Sequence, residues 1–340
     1  MGSVGKETYV TLGEVAKEAN VSAATVSRFL NKTAHVSEDT ARRITRAIER
    51  LGYIPNQKAQ DLARGHSNLI GLLLRDPRNP YYGFLHAFLQ EECIDNDLKL
   101  ISAIPGTMQG SRAEYSGIET LLGLRVGGLL IATGVLSEDT IVDISKHIPT
   151  VLVGRPRFNS AIATVSYDES KNIRALVEFA LRQGHRKVAV IYRDKEFSFI
   201  ESLRGELFSK ELLRNGVSII PVKIESFESL QEANIEVLRL VAERKITLAM
   251  FSNDAQALSF MKFALENGLH IPEDVSVTGY DATHDSVFVA GLTSLKLPLK
   301  EAAKHSVRML REMMEGQQTT PDQIVLEGEL LKGRTVKPLL

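Results

Sequence analysis

From residue 69 onward, the sequence alternates short apolar runs with amphipathic stretches of helical period. Short apolar strands that alternate with helices form parallel sheets that are buried on both faces. About ten such units exceed a typical single sheet, so the sequence predicts two α/β lobes that divide near residue 165, with crossovers near residues 295 and 325. In such a body a small ligand binds between the lobes, at the carboxyl ends of the strands. The runs predicted as strands are 69–74, 98–104, 126–132, 149–154, 187–192, 218–224, 247–252 and 275–280.

The first 55 residues have a different pattern, that of three short helices joined by tight turns. Polar residues able to cap these helices precede them at Thr11, Ser22 and Ser37. Glu14 completes a capping box in the first helix, and Gly52 is suited to end the third. Tyr53 and Ile54 are predicted to pack into the core that the helices share. Three short helices of this kind form a helix-turn-helix unit.

The predicted fold is therefore an all-α helix-turn-helix head followed by a two-lobed, doubly wound parallel-sheet body of the periplasmic-binding-protein type. We place the boundaries at 1–55 for the head, 56–66 for a linker and 67–340 for the body. The linker is too short to be a stable isolated helix. It is either a flexible connection or a segment that becomes ordered only on binding.

Charge is distributed unevenly along the chain, although the formal net charge is only −1. Residues 1–66 hold 10 Lys and Arg against 7 Asp and Glu, whereas the remainder holds 31 against 35. This asymmetry predicts a basic head on an acidic body. There is no apolar signal-peptide core and no run of ~18 apolar residues, so we expect a cytoplasmic protein without a membrane partner. The single cysteine, Cys93, is expected to be a buried hydrophobe.

Short catalytic and cofactor motifs are absent from the sequence. It contains no GxxxxGK[ST], GxGxxG, GxSxG or HExxH motif. Its eight histidines are scattered and lack the spacing of metal ligands. We therefore expect neither an enzyme nor a cofactor or metal site.

Several motifs together resemble one family. TLGEVAKEANVSAATVSRFLN and HVSEDTARRITRAIERLGYIPN resemble the N-terminal domain of the lac repressor (LacI/GalR) family. IGLLL, DPRNPYY, RQGHRKVAVI, FSNDAQAL and IPEDVSVTGYDAT follow in that family's order, so the resemblance spans about residues 10–335. It implies a transcriptional regulator, a repressor rather than an activator, that is controlled by a small effector. A dehydrogenase would share the β/α alternation but not this head, and a periplasmic sugar-binding protein would have a signal peptide and no head.

The resemblance also implies which residues touch DNA. AATVSRFLN would be the recognition helix in the major groove. Arg28 can donate two hydrogen bonds to guanine, whereas the methyl groups of Ala23 and Ala24 can make only apolar contacts, for instance with thymine. The polar residues are suited to phosphate contacts, which fix register. The full set predicted in the head is Thr11, Ser22, Ala23, Ala24, Thr25, Ser27, Arg28, Asn31, His35, Ser37 and Thr40.

The linker resembles the hinge helix of the family. Leu62 matches an apolar wedge that enters the minor groove and kinks the DNA, although it could instead pack on the body. Asp61 departs from the family pattern and would be repelled by phosphates, while Lys58 and Arg64 offset its charge. The hinge residues predicted to contact DNA are Asn56, Gln60, Leu62 and Ala63.

Effector contacts are implied at six positions of the body, which are Asp76, Tyr82, Arg155, Arg204, Asn253 and Asp281. These donors and carboxylate acceptors suit the adjacent hydroxyls of a sugar or of a polyol such as a cyclitol. A nucleoside or purine-like ligand and a phosphoprotein corepressor are alternatives. The segment RDKEFSFIESLRG lacks the Gly-Pro of many relatives, which leaves the ligand's identity open.

Assembly follows from the geometry of operator binding. One recognition helix covers a half-site, so a homodimer matches a pseudo-palindromic operator. No leucine heptad follows GRTVKPLL, which favours a dimer over a tetramer. We expect the effector to lower DNA affinity, although corepression would use the same residues.

Overall fold

The computed structural model describes residues 10–31, 35–55, 67–105, 111–132, 134–225, 229–317 and 321–339. The chain divides into two compact units, residues 1–68, which we call the head unit, and residues 69–340, which we call the body. The predicted linker at 56–66 lies outside the described residues. With it lie the four predicted hinge contacts, Asn56, Gln60, Leu62 and Ala63.

Three helices form the head unit: α1 (Leu12–Glu18), α2 (Ala23–Asn31) and α3 (Glu38–Leu51). Thr11 and Glu14 make the predicted capping box. Ser37 caps α3 by accepting a hydrogen bond from the backbone of Thr40. Gly52 ends α3 with φ of 62°, a left-handed conformation in which glycine is the least strained residue. The predicted caps and the predicted helix end are therefore confirmed.

The core of the head unit is small. Val15, Val26 and Ile44, one from each helix, are fully buried at its centre. Tyr53 closes the core as predicted, but the prediction for Ile54 was wrong, because its side chain is 78% exposed. A unit of this size has too little interior to cover every apolar side chain that follows its last helix.

The body begins with an α/β lobe built from the following elements in chain order: β1 (Leu69–Leu74), α4 (Pro80–Asp95), β2 (Lys99–Ala103), α5 (Ser111–Gly123), β3 (Gly128–Ala132), α6 (Glu138–Ser145), β4 (Thr150–Val153) and β5 (Ala163–Tyr167). Its strands pair in parallel. β1 and β3 are buried along almost their whole length. Helices on both sides of the sheet cover such strands, as expected for a parallel sheet.

The second lobe and the returning segments follow in chain order: α7 (Glu169–Arg182), β6 (Lys187–Arg193), α8 (Phe199–Arg214), β7 (Ser218–Ile224), α9 (Leu230–Ala242), β8 (Leu248–Phe251), α10 (Asp254–Glu266), β9 (Ser276–Thr278), α11 (Asp285–Ala290), β10 (Ser294–Lys296), α12 (Leu299–Met314), β11 (Gln323–Leu326) and β12 (Glu329–Leu331). The sheet of this lobe has the parallel order β7-β6-β8-β9. β10 and β12 form a separate antiparallel pair.

The chain passes between the two lobes three times. It leaves the first lobe after β5 and returns after β10, because α12 packs on α4 and on strands of the first sheet. β11 then adds to the edge of that sheet, which has the order β11-β5-β4-β3-β1-β2. The final passage leads from β11 to β12. Three connections hold the lobes together at one side and leave a cleft between the carboxyl ends of their strands.

The predicted fold class is confirmed, with differences in detail. All eight predicted strands are present, most of them shorter by one to three residues. The prediction did not include four strands, β5, β10, β11 and β12. The last three have only three or four residues, which is too short for a recognisable pattern, and β5 mixes hydroxyl with apolar residues. Thr164 of β5 is nevertheless buried, since its hydroxyl donates to the carbonyl of Leu152. Cys93 is fully buried as expected, and burial raises the pKa of its thiol to about 12.

Within the described ranges, no helix is both long enough and apolar enough to cross a membrane.

Candidate DNA-binding surface and interlobe cleft

Helix α2 has one face in the core of the head unit and one face in solvent. Val26 is buried, whereas Ala23, Ala24 and Arg28 are exposed. Thr25, Ser27 and Asn31 are half-buried at the borders of the exposed face. The helical period therefore places the predicted base-reading residues together on the outer surface.

Arg28 has no ion pair with any residue that the structure describes. Among the described residues of the head unit, ion pairs join Arg43 to Asp39 and Arg50 to Glu18. The guanidinium group of Arg28 is thus available to a ligand outside the unit. At the end of the same helix, the amide nitrogen of Asn31 donates to Ser27 Oγ at 3.3 Å.

Three of the predicted phosphate contacts have a second role, because they stand at the starts of the helices. Thr11 and Ser37 are N-caps, and the Oγ of Ser22 accepts from the backbone N–H of Thr25 at 3.1 Å. Helix N-termini carry free N–H groups and a partial positive charge that attract phosphates. Alanine at these positions would therefore weaken both a helix and a phosphate contact. His35, also predicted, is exposed in the turn before α3.

All six predicted effector residues line the cleft between the lobes of the body. Asp76, Tyr82 and Arg155 line it from the first lobe, where they follow β1 and β4. Arg204, Asn253 and Asp281 line it from the second lobe. The outer part of the cleft has a volume of about 290 Å³ and the inner part about 20 Å³. Residues from distant parts of the sequence therefore converge on two adjoining cavities, whose linings share Tyr82 and Asn253.

Arg204 is the centre of a buried ionic network at the inner end of the cleft. Its guanidinium group donates two hydrogen bonds to Glu169, at 3.1 and 3.2 Å. It donates a third to Asp281 Oδ1 and a fourth to the carbonyl of Ser252, both at 3.0 Å. It also lies 3.9 Å from the ring centroid of Tyr280. These contacts tie Arg204 to Asp281 and to the end of β8 at Ser252 within the protein itself.

Asp281 is held in an unusual state by this network. Its φ angle is 110°, a conformation that L-residues rarely adopt and that occurs mostly at functional sites. Burial raises the pKa of its carboxyl group well above the usual value, while Arg204 opposes that rise. A second buried carboxyl group, that of Asp254, has a pKa raised by burial to about 7. Asp254 accepts hydrogen bonds from Ser294 and from the backbone of Ala282.

Asp76 lies at the outer, more solvated end of the cleft. Arg78 donates to both of its oxygens, at 2.9 and 3.0 Å. Burial opposes ionisation of Asp76, but these hydrogen bonds and the charge of Arg78 lower its pKa. The ionised carboxylate can accept hydrogen bonds from ligand hydroxyls.

The sequence-based prediction missed Glu201, Arg75 and Arg193, which also line the cleft. Glu201 is buried, with its carboxylate 3.6 Å from a guanidinium nitrogen of Arg75 and 3.6 Å from one of Arg193. Gln256 donates to Glu201 at 2.6 Å. One signal was present in the sequence, because Glu201 precedes Arg204 by three residues and so shares its helix face.

Arg155 lies at the inner end of the cleft and is only 6% exposed. One of its terminal nitrogens donates to the carbonyl of Leu136 at 2.7 Å, and its guanidinium group stacks 4.3 Å from the ring centroid of Phe199. Its Nε has no hydrogen-bond partner among the described residues. Burial lowers the pKa of this side chain.

Comparison with known proteins matches both units. The family described as "Bacterial regulatory proteins, lacI family" matches residues 11–56, and the "Periplasmic binding protein-like domain" matches residues 177–336. The chain is 29% identical over 327 residues to the HTH-type transcriptional regulator pepR1 of Lactobacillus delbrueckii subsp. lactis, covering 95% of this chain and 96% of that protein. It is also 29% identical over 337 residues to the lactose operon repressor of Escherichia coli (strain K12), covering 96% of this chain and 90% of that protein.

A solved structure agrees with these matches. The lac repressor dimer bound to operator and the anti-inducer ONPF has a TM-score of 0.83 and 26% identity, covering 97% of this chain and 100% of that one. A helix-turn-helix unit joined to such a two-lobed body defines a DNA-binding transcriptional regulator. The chain carries a lacI-family DNA-binding domain together with a periplasmic-binding-protein-like domain, and over more than 90% of its length it is similar to transcriptional regulators that include the lactose operon repressor. Its relatives pepR1 and the lactose operon repressor are regulators of transcription rather than enzymes.

Proposed function

We propose that this regulator binds a pseudo-palindromic operator as a homodimer and represses transcription until a small polyhydroxylated effector, a sugar or a polyol, occupies the interlobe cleft. The observation that carries the effector site is the convergence of six residues from separate elements on two adjoining cavities of the cleft. The lac repressor relative was solved as a dimer on its operator, which supports the same assembly for this chain.

DNA recognition is assigned to the exposed face of α2. Arg28 donates two hydrogen bonds to a guanine, an interaction worth about 1–3 kcal/mol of discrimination between bases. Ala23 and Ala24 add apolar contacts without hydrogen bonds. The helix starts at Thr11, Ser22 and Ser37 hold phosphates and fix the register. Since one α2 covers only half a site, two copies related by a two-fold axis read the whole operator.

The hinge completes this interface in the proposal. Leu62 enters the minor groove and Asn56, Gln60 and Ala63 flank it, so that the hinge adds specificity through DNA shape. This role has a direct consequence for control, because a change in the distance between the two hinges of a dimer would weaken their binding to DNA.

Effector control requires unequal affinity for two arrangements of the lobes. A ligand that contacts Asp76 and Tyr82 on one lobe and Asn253 on the other binds the closed arrangement more tightly than an open one. Closure then lowers the affinity for the operator. By linkage, bound operator DNA lowers the affinity for the effector by the same coupling free energy.

The experiment combines DNA binding with a ligand panel. Full-length protein is titrated onto a labelled pseudo-palindrome from its own promoter region, with and without individual sugars, polyols and nucleosides. An effector should raise the Kd for this DNA. Asp76→Asn, which removes a charge at the mouth of the cleft, should reduce the response and leave operator affinity in the absence of ligand unchanged.

Asp143→Asn is the matched control, because Asp143 is exposed and paired with Lys146 outside the cleft. It should respond to the effector as the wild type does. An equal loss of response in both variants would contradict the effector site, and a wild type without sequence-specific DNA binding would contradict the operator assignment.

A further inference from the structure

We propose that Tyr82 determines the size of the effector, by restricting it to a single ring with one hydroxyl-sized group that reaches the inner end of the cleft. This assignment rests on the proposed role of the cleft as the effector site, and it names the shape of ligand that the site accepts.

The cleft consists of two adjoining cavities of unequal size. The outer cavity has a volume of about 290 Å³ and the inner cavity about 20 Å³. Four of the described residues line both cavities and so form the boundary between them, namely Asn79, Tyr82, Glu201 and Asn253. Asn79 and Tyr82 stand at the start of α4 in the first lobe, whereas Glu201 and Asn253 belong to the second lobe. A ligand that occupies both cavities must therefore pass between side chains of the two lobes.

The ring of Tyr82 is held firmly at this boundary. Its side chain is buried, and the ring of Tyr81 packs edge-on against it with 5.0 Å between the ring centroids. Tyr81 is in turn packed against Gly154, where an added Cβ atom would collide with its hydroxyl group. The hydroxyl group of Tyr82 forms a hydrogen bond with the largely buried side chain of Arg75. Because close-packed side chains move only at the cost of their contacts, Tyr82 acts as a fixed wall between the cavities.

The inner cavity is too small for a ring. With about 20 Å³, it holds one group of the size of a water molecule, which needs roughly 10–15 Å³. Its polar wall at Arg204 is already hydrogen-bonded to Asp281 and Glu169. A hydroxyl group of a ligand fits this space, whereas a second sugar ring does not.

Asn253 supplies a donor at the boundary for such a hydroxyl group. Its side chain is buried, and its Oδ1 accepts from the backbone N–H of Gln256 as the N-cap of α10. Its amide nitrogen has no acceptor among the residues that the structure describes. A buried donor without an acceptor is unfavourable, so a ligand hydroxyl oxygen at this point would be bound by the amide.

The outer cavity has the size of one ring. Its volume of about 290 Å³ is at the lower end of the ~300–1,000 Å³ of small-molecule pockets. Polar side chains line it from both lobes, among them Asp76 from the first lobe and Gln256 from the second. A polyhydroxylated ring can hydrogen-bond to these groups while one further hydroxyl passes Tyr82. Such a ligand contacts both lobes, which is the condition for favouring one arrangement of the lobes over another.

The test begins with titration calorimetry of the full-length protein. D-glucose, D-galactose, D-mannose, D-fructose and myo-inositol are compared with maltose, cellobiose, lactose and sucrose. We expect at least one of the monocyclic compounds to bind at least tenfold more tightly than every disaccharide. The tightest monocyclic binder is then compared with its mono-O-methyl ethers, in which one hydroxyl at a time is lengthened. The ether methylated on the group that enters the inner cavity should bind at least tenfold more weakly than its parent.

Replacing Tyr82 identifies that group. Tyr82→Ala joins the two cavities, so it should strengthen binding of this one ether by at least tenfold, because the removed ring leaves room for the methyl group. A variant that was merely damaged would instead bind all of the ligands more weakly. Tyr82→Phe keeps the ring and should discriminate among the ethers as the wild type does, which separates the bulk of the ring from the hydrogen bond of its hydroxyl group.

Tyr115→Ala is the matched control, because Tyr115 is an exposed tyrosine of α5 that lines neither cavity. It should bind every ligand as the wild type does. Thermal melts establish that each variant is folded, and Tyr82→Leu, which also shortens the side chain, replaces Tyr82→Ala if the latter is not.

Three results would overturn the proposal. These are tighter binding of a disaccharide than of every monocyclic compound, binding of none of the monocyclic compounds at millimolar concentration, and discrimination among the ethers that Tyr82→Ala leaves unchanged. Operator titrations separate this outcome from the proposed function. A disaccharide that binds and raises the Kd for the operator would leave the proposed function intact, whereas a monocyclic ligand that binds as expected without changing operator affinity would contradict effector control alone.

Discussion

Replacing Arg204 with methionine tests the buried network that shapes the inner cleft. The substitution keeps an unbranched side chain but removes four hydrogen bonds, two to Glu169 and one each to Asp281 and Ser252. Removing one partner of a buried ion pair costs about 3–5 kcal/mol, because the other charge stays buried. Asp281 limits this cost, because burial already raises the pKa of its carboxyl group and it can take up a proton. We therefore expect the free energy of unfolding of the body to fall by about 3–5 kcal/mol.

Urea denaturation followed by far-UV circular dichroism measures this loss. At an m-value of about 2–3 kcal/mol/M, the midpoint of the body's transition should fall by roughly 1–2 M. Arg182→Met is the control, because it breaks an exposed pair with Glu178 at 3.7 Å that is worth at most about 1 kcal/mol. Adding Glu169→Gln to Arg204→Met should recover part of the stability, since it removes a charge left unpaired.

Two results would refute the reasoning. One is a loss of unfolding free energy below about 1 kcal/mol for Arg204→Met, and the other is a double variant whose loss equals the sum of the losses of the two single variants. Either result would mean that the network contributes no more than a surface ion pair does.

Three further predictions concern single side chains. Ser37→Ala should lower the stability of the head unit by about 1 kcal/mol through loss of the α3 cap, measured by calorimetry. Gly205→Ala should destabilise the body by about 1–3 kcal/mol in urea titrations, because its methyl group would collide with the ring of Tyr192. The folded state holds a proton on Asp254, with a pKa of about 7, that the unfolded chain releases near pH 4. Stability from this group therefore falls as pH rises through that window, and Asp254→Asn should lose less stability than the wild type between about pH 4 and 7.

Local signals in the sequence were sufficient to predict most of the fold. A cap depends on neighbouring residues, so Thr11, Ser37 and Gly52 could be assigned from spacing alone. Buried parallel strands are continuous apolar runs, which made eight of them recognisable. The three-residue strands β10 and β12 lack such a pattern, because partners distant in sequence hold them in place. Ile54 was misplaced because the available core volume, rather than local sequence, decides which of two adjacent apolar residues is buried.

The cleft was predictable only in part. Its six predicted residues were found through a family resemblance, and the structure brings them together. The ion pairs that determine its electrostatics join residues far apart in sequence, such as Arg204 with Asp281 and Arg75 with Glu201. No periodic pattern encodes such pairs. These pairs can therefore be identified only when the side chains are seen in three dimensions.

Operator binding by full-length wild type and by Arg28→Ala, measured by fluorescence anisotropy over a series of salt concentrations, tests the central claim most directly. The DNA is the pseudo-palindrome of the protein's own promoter region, with a scrambled sequence for comparison. We expect the wild type to prefer the operator and its log affinity to fall linearly with log salt as counterions are released. Arg28→Ala should lose about 1–3 kcal/mol of that preference for each half-site while keeping most of the salt dependence. Two results would contradict the assignment of α2 as the helix that reads DNA. One is that Arg28→Ala prefers the operator over scrambled DNA as strongly or as weakly as the wild type does, and the other is a binding constant independent of salt.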